Sequence, residues 1–138
     1  MKTRNTCCTY FKIVGDFDPK EISAALGMAP DTYWKKGELR RNGTPHISSC
    51  WTVGSCTDYD VLTENQMKKT ISLLSDKIPL LNRIREEQDV EFFLTIVPSI
   101  YVGEINPCLA PSLDIIDFCH ATRTRMDMDL YIHDADDE

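Results

Sequence analysis

The chain has 138 residues, 42% of them hydrophobic and 27% charged, and a formal net charge of -7. That length holds one core rather than two, and the composition excludes general disorder. The acidic balance excludes the broad positive face that non-specific nucleic-acid binding requires, and no apolar run approaches the roughly 20 residues that cross a bilayer. Polar residues follow Met1-Lys2-Thr3-Arg4 where a signal peptide needs an apolar stretch, so a cytoplasmic protein is expected.

In chain order, Cys7 to Val14 is β-prone, with Tyr10, Phe11, Ile13 and Val14, and reads as a buried first strand. The adjacent Cys7 and Cys8 would point opposite ways there. All six cysteines are expected to be reduced thiols packed as small hydrophobes. Gly15-Asp16-Phe17 turns the chain. Asp18 then caps a helix, Pro19 suits its first position, and Glu21 completes a capping box. Ile22, Ala25 and Leu26 form its inward stripe and Gly27 ends it.

Met28 to Gly43 reads as a loop-like connection ending in a basic cluster. Lys35, Lys36, Arg40 and Arg41 stand there beside Trp34, Gly37 and Gly43. His46 to Val53 reads as a strand around Trp51. Thr63 opens the longest helix, with Gln66 completing a capping box and Met67, Ile71, Leu74 and Ile78 on one apolar face. Pro79 breaks or kinks it, and a second short helix runs to about Glu87. Val90 to Val97 is the clearest strand, central and two-sided by its Phe92-Phe93-Leu94 run. Ile100 to Ile105 pairs with a neighbour across an irregular connection.

Ser112 caps a last helix through Leu113, Ile116 and Cys119. From Met126 to Ile132 the residues alternate. Met126, Met128, Leu130 and Ile132 are expected in the core, with Asp127, Asp129 and Tyr131 on an exposed acidic face. The uneven alternation of strands and helices predicts a single α+β domain over residues 1–133. It has a mixed, largely antiparallel sheet with helices packed mainly on one face. Residues 134–138, which include Asp134, Asp136, Asp137 and Glu138, read as an acidic solvated tail.

A resemblance adds to this reading. Tyr10-Phe11-Lys12-Ile13-Val14-Gly15-Asp16-Phe17-Asp18-Pro19, then Ile22, Leu26 and Gly27, then Trp34-Lys35-Lys36-Gly37, Trp51, and Asp127-Met128-Asp129-Leu130-Tyr131-Ile132 stand in order over nearly the whole chain. Together they resemble a bacterial family called domain of unknown function 4279. The resemblance implies a compact α+β domain and carries no catalytic residues. Some members look like immunity-type proteins that neutralise a toxin made by neighbouring cells.

The residues themselves point to no reaction. Cys50 and Cys56 are too far apart for a zinc knuckle, and His133 with Asp134, Asp136 and Asp137 reads as a solvated acidic end, so no metal and no cofactor are expected. His46 near Cys50 and His120 beside Cys119 lack the surroundings of a nucleophile and its base, and buried structural thiols are the plainer reading. Gly37 and Gly43 precede a strand rather than a helix, which excludes a Walker-type phosphate loop. Asp127 and Asp129 read as solvated edge charge rather than as an acid–base pair. Trp51 reads as core. Trp34 reads as core or as a platform under a stacked cation.

The leading expectation is a non-catalytic protein-binding domain, with an immunity-type protein as its specific form, whose acidic face with Asp127 and Asp129 covers a basic site on a toxin. The alternative is a small enzyme or ligand-binding domain that holds an anionic ligand or acidic partner at Trp34, Lys35, Lys36, Arg40 and Arg41. Neither expectation involves nucleic acid or a membrane.

Overall fold

The structure is a computed structural model that describes residues 3–58 and 63–137. Met1, Lys2 and the Glu138 of the expected tail lie outside the described residues. Among those described, the elements are β1 (Thr6–Gly15), α1 (Pro19–Leu26), β2 (Thr32–Trp34), β3 (Ser49–Asp58), α2 (Glu64–Ser72), α3 (Ile78–Glu87), β4 (Val90–Tyr101), α4 (Leu113–Thr122), β5 (Arg125–Met128) and β6 (Tyr131–His133). The strands form one sheet in the order β2-β3-β1-β4-β5, and β6 also pairs with β4. β1 lies in the middle, antiparallel to β3 and β4. β5 and β6 run parallel to β4. The chain is a single α+β domain with a mixed, mostly antiparallel sheet.

The side-chain period of two in β1 divides the molecule. Cys7, Thr9, Phe11 and Ile13 are buried, whereas Cys8, Tyr10, Lys12 and Val14 are only half-buried. Phe11 meets the rings of Phe92 and Phe118 at 5.6 and 6.4 Å. The same core cluster takes Ile22 and Leu26 from α1, Met67 and Ile71 from α2, Leu81 and Ile84 from α3, and Ile115, Phe118 and Cys119 from α4. Each large side chain removed from water there contributes about 1.5–3 kcal/mol. Trp51 is wholly buried and its indole N–H donates to Ser23 Oγ at 3.0 Å, which pins α1 to β3.

Local signals explain the first helix. Asp18 accepts from the Lys20 amide at 3.0 Å, Pro19 opens α1, and the amide of left-handed Gly27 donates to the Ser23 carbonyl at 2.8 Å. Gly54 has φ 74° where the β1–β3 register slips between Thr9 and Phe11. This is a bulge that brings α2 onto the sheet: Thr70 Oγ1 donates to the Gly54 carbonyl at 2.8 Å, and a Cβ on Gly54 would lie 2.9 Å from the Thr70 methyl.

Several expectations are corrected. Residues 28–43 are not all loop, because Thr32–Trp34 adds the edge strand β2 to β3. Ala25 is exposed, and α1 buries Pro19, Ile22 and Leu26. Thr63 and Gln66 make no capping box; Thr63 Oγ1 donates to the Cys108 carbonyl at 2.7 Å and Gln66 turns inward to accept from Thr9. Pro79 stands in the first turn of α3 rather than ending a longer helix, the position where its missing N–H costs nothing. Leu113 and Ile116 are exposed, and α4 buries Ile115, Phe118, Cys119 and Thr122 instead. Ile100 continues β4, which runs unbroken to Tyr101.

The largest correction is at the C-terminal strand. It is two short strands, not one, and Met128, Leu130 and Ile132 are 42%, 48% and 67% exposed. Met128 is more open than Asp127. The register puts Ile96 beside Met128 and Ser99 beside Tyr131, so the gap between β5 and β6 falls alongside Val97 and Pro98. Pro98 has no N–H to give to the ladder. The Asp129 amide bridges the gap, donating to the Ile96 carbonyl at 2.9 Å.

Candidate functional site

The face of the sheet opposite the core carries Tyr10 and Lys12 in its middle. Lys12 lies beside Thr52 on one side and Phe93 on the other, Val14 lies beside Cys50, and Tyr10 beside Thr95. The pairing continues from Phe93 to Arg125 and from Thr95 to Asp127. Residues far apart in sequence thus share one surface because paired strands keep their side chains in step. The Lys12 ammonium and the Arg125 guanidinium lie 5.2 and 5.6 Å from the centre of the Phe93 ring. Glu91 adds an exposed ion pair to Arg125 at 3.8 Å.

At the β2 side this face opens into a cleft of about 460 Å³. Tyr10, Lys12, Val14, Cys50, Thr52 and Trp34 line it, with Cys8, Asp31, Thr32, Ser48 and Ser55. Trp34 is held in two ways. Its N–H donates to the Ser48 carbonyl at 3.1 Å, and its ring stacks on His46 at 4.5 Å with 16° between the planes. A histidine, not a lysine or arginine, is therefore the stacking partner. Burial pushes the Cys50 thiol up from 9.0 to about 11, against the pull of Lys12 and the Trp51 amide. Burial, then the negative charge of Cys8, Cys50 and Asp127, raises the Tyr10 phenol above its ordinary value.

The basic cluster runs along the β2–β3 hairpin: Lys35 and Lys36 follow β2 at its base, and Arg40 and Arg41 stand at its tip. Buried Ser49 fixes the base of this hairpin: its hydroxyl donates to the Phe17 carbonyl at 2.6 Å and accepts from the Lys36 amide at 2.9 Å. Arg40 and Thr44 close the tip with a 2.8 Å backbone bond, and Leu39 bridges to Pro45. Lys35, Lys36, Arg40 and Arg41 are all exposed. Lys36 reaches Asp16 at 3.5 Å, a solvent-screened pair of small value. Of the five residues expected to form the anion pocket, only Trp34 lines the cleft.

Asp127 and Asp129 lie on the opposite edge of the sheet. Asp127 is half-buried on the open face, and Asp129 is exposed and accepts from the Tyr131 hydroxyl at 3.2 Å. The charge of Asp129 raises the Tyr131 phenol above its usual value. Exposed Met128, Leu130, Tyr131 and Ile132 accompany the two carboxylates.

All six cysteines are free thiols. Cys7, Cys50 and Cys119 are buried and Cys108 is exposed. Cys119 is closed off from water, whereas its neighbour His120 is exposed on α4. Among the described residues, no three His, Cys, Asp or Glu side chains gather as a metal site. Sequence reasoning missed a cluster at the end of β4. Ser99 Oγ and His133 Nε2 are 2.7 Å apart, His133 stacks on Tyr101 at 4.6 Å, and Arg4 lies 4.0 Å over the other ring partner, Tyr101. Arg4 also donates to the carbonyls of Ala135 and Asp137. The serine–histidine distance suits proton transfer, yet no carboxylate bonds the imidazole to orient it among the described residues. The cluster clasps the exposed turn at Asp134–Asp137 against the N-terminal segment.

Residues 5–133 match the model of a family described as a domain of unknown function, DUF4279. No curated protein and no solved structure matches the chain.

Proposed function

The chain belongs to the DUF4279 family, and from that premise we propose that it is a small bacterial, cytoplasmic protein-binding domain without catalysis, of the immunity type that occupies and neutralises a toxin. The observation that carries this reading is the composition of the β5–β6 edge. Met128, Leu130, Tyr131 and Ile132 are exposed on the same edge segment as the carboxylates of Asp127 and Asp129. Apolar and aromatic side chains held in water at a sheet edge, with charge beside them, are what a protein interface uses. The net charge of -7 favours a basic partner surface and speeds encounter with it. No helix among the described residues is long and apolar enough to cross a membrane.

A second reading has its own support. Lys35, Arg40 and Arg41 make no ion pair among the described residues, on a hairpin held by backbone bonds. An anionic ligand or acidic partner would meet them at the tip, with Trp34 behind.

Co-expression with any toxin found encoded beside this gene tests the leading reading. The wild-type chain should restore growth. The double variant Asp129→Lys with Leu130→Lys should fail to do so while keeping the wild-type melting temperature. Protection that survives this variant, or that is lost only with Arg40→Ala and Arg41→Ala, moves the interface away from the acidic edge.

A further inference from the structure

We propose that the cleft between β2 and β1 is a binding site for a small organic monocarboxylate with an apolar body, held by Lys12. The site is separate from the β5–β6 edge and does not depend on a protein partner. Lys12 is half-buried near the centre of the open face, with its ammonium over Phe93 and no ion pair among the described residues. A cation that has no ion pair to give up can take an anionic ligand without breaking an existing contact. This chain has 22 acidic and 15 basic residues, and yet among the described residues no acidic side chain bonds Lys12.

The surroundings define the rest of the ligand. Val14, Tyr10 and Trp34 offer apolar surface, and Thr32 and Thr52 line the same cleft. Its volume of about 460 Å³ suits a small molecule. Trp34 is fixed beforehand by His46 and Ser48, so the wall needs little ordering when a ligand arrives. Asp31 closes the β2 end. Its Oδ2 accepts from the Ser55 amide at 2.8 Å, which fixes the carboxylate in place. A second negative charge on the ligand would meet Asp31. That disfavours phosphate and dicarboxylates and leaves one carboxylate, at the Lys12 end, with the apolar part along Val14 and Trp34.

Titration of the full chain with 3-phenylpropionate, followed by amide NMR, tests this. Saturable shifts should appear at residues 10–14, 32–34 and 50–52, with a dissociation constant no weaker than about 10 mM, the range of a single ionic contact plus a small apolar one. The neutral amide 3-phenylpropionamide, inorganic phosphate and succinate should each bind at least about tenfold more weakly. Lys12→Met keeps the length of the side chain and removes its charge; it should lose about tenfold in affinity for the acid while the melting temperature holds. If that variant does not fold, the comparison of acid with amide on the wild-type chain decides alone. Equal binding of acid and amide, undiminished binding by a folded Lys12→Met, shifts that map to residues 35–41, or no saturable shift at all would overturn the assignment.

Discussion

The two faces of β1 take alternate residues of one ten-residue strand and have opposite fates. Phe11 and Ile13 disappear under four helices, while Tyr10, Lys12 and Val14, one step along, line an open cleft. The difference is not hydrophobicity alone, since Val14 is as apolar as many core residues. It comes from which side carries the core, where residues of all four helices cluster with Phe11 and Ile13. Stability is concentrated on that face, and the proposed ligand cleft lies on the other.

The comparison can be broken most directly at Phe11. Phe11→Ala should cost about 3–5 kcal/mol in urea unfolding, as large core truncations do. Tyr10→Ala should cost far less, and similar costs for the two would mean that the open face is in fact a second core.

The thiols divide in the same way between covered and open positions. Burial raises Cys7, Cys50 and Cys119 from 9.0 to about 11. At pH 8 that lowers the reactive thiolate fraction by about a hundredfold, so these three should label with iodoacetamide far more slowly than exposed Cys108. A raised pKa in the folded state also has a stability consequence. The contribution is whole below pH 9 and declines as pH rises towards 11, because the unfolded thiols ionise first. Melting temperatures should therefore fall across that window and gain nothing on acidification from these groups.

Gly54→Ala sharpens the comparison at the bulge, where the covered face accepts α2. With φ 74° and the Thr70 methyl in the way, it should cost about 2 kcal/mol by thermal unfolding. Asp18→Ala removes one helix cap and should cost about 1 kcal/mol. The smallest effect is expected at Leu130, where truncation to Ala should change stability by no more than about 0.5 kcal/mol because the side chain is half in water. A loss of 2 kcal/mol or more would restore the buried strand that its sequence alternation suggests.

What the sequence made legible follows the range of the forces involved. The first strand, the Asp18–Pro19–Gly27 helix and buried Trp51 depend on neighbours within a few residues, or on plain apolar content, and they were readable. The cleft was not. Lys12 and Trp34 share it only because β1 pairs with β3 and β3 with β2, and a three-residue exposed strand such as Thr32–Trp34 leaves almost no periodic trace. The C-terminal alternation suggested a core face and a solvent face, but Met128, Leu130 and Ile132 are exposed, and Pro98 on the neighbouring strand interrupts the pairing. The basic cluster was visible as charge, but its exposure and its separation from the Lys12 cleft depend on where the hairpin points.

The central position of β1 has a consequence for synthesis on the ribosome. The strand emerges early, yet one of its two partners, β4, ends the third quarter of the chain; Phe11 must wait for Leu94. Until then a β-prone run from Cys7 to Val14 has an unpaired edge, the feature that invites association between nascent chains. The late, non-local closure of β1 against β4 also sets a slow folding rate, since a long loop has to close before any of those contacts form. A chaperone that shields the first strand would therefore raise the yield of this protein more than one acting on its later helices.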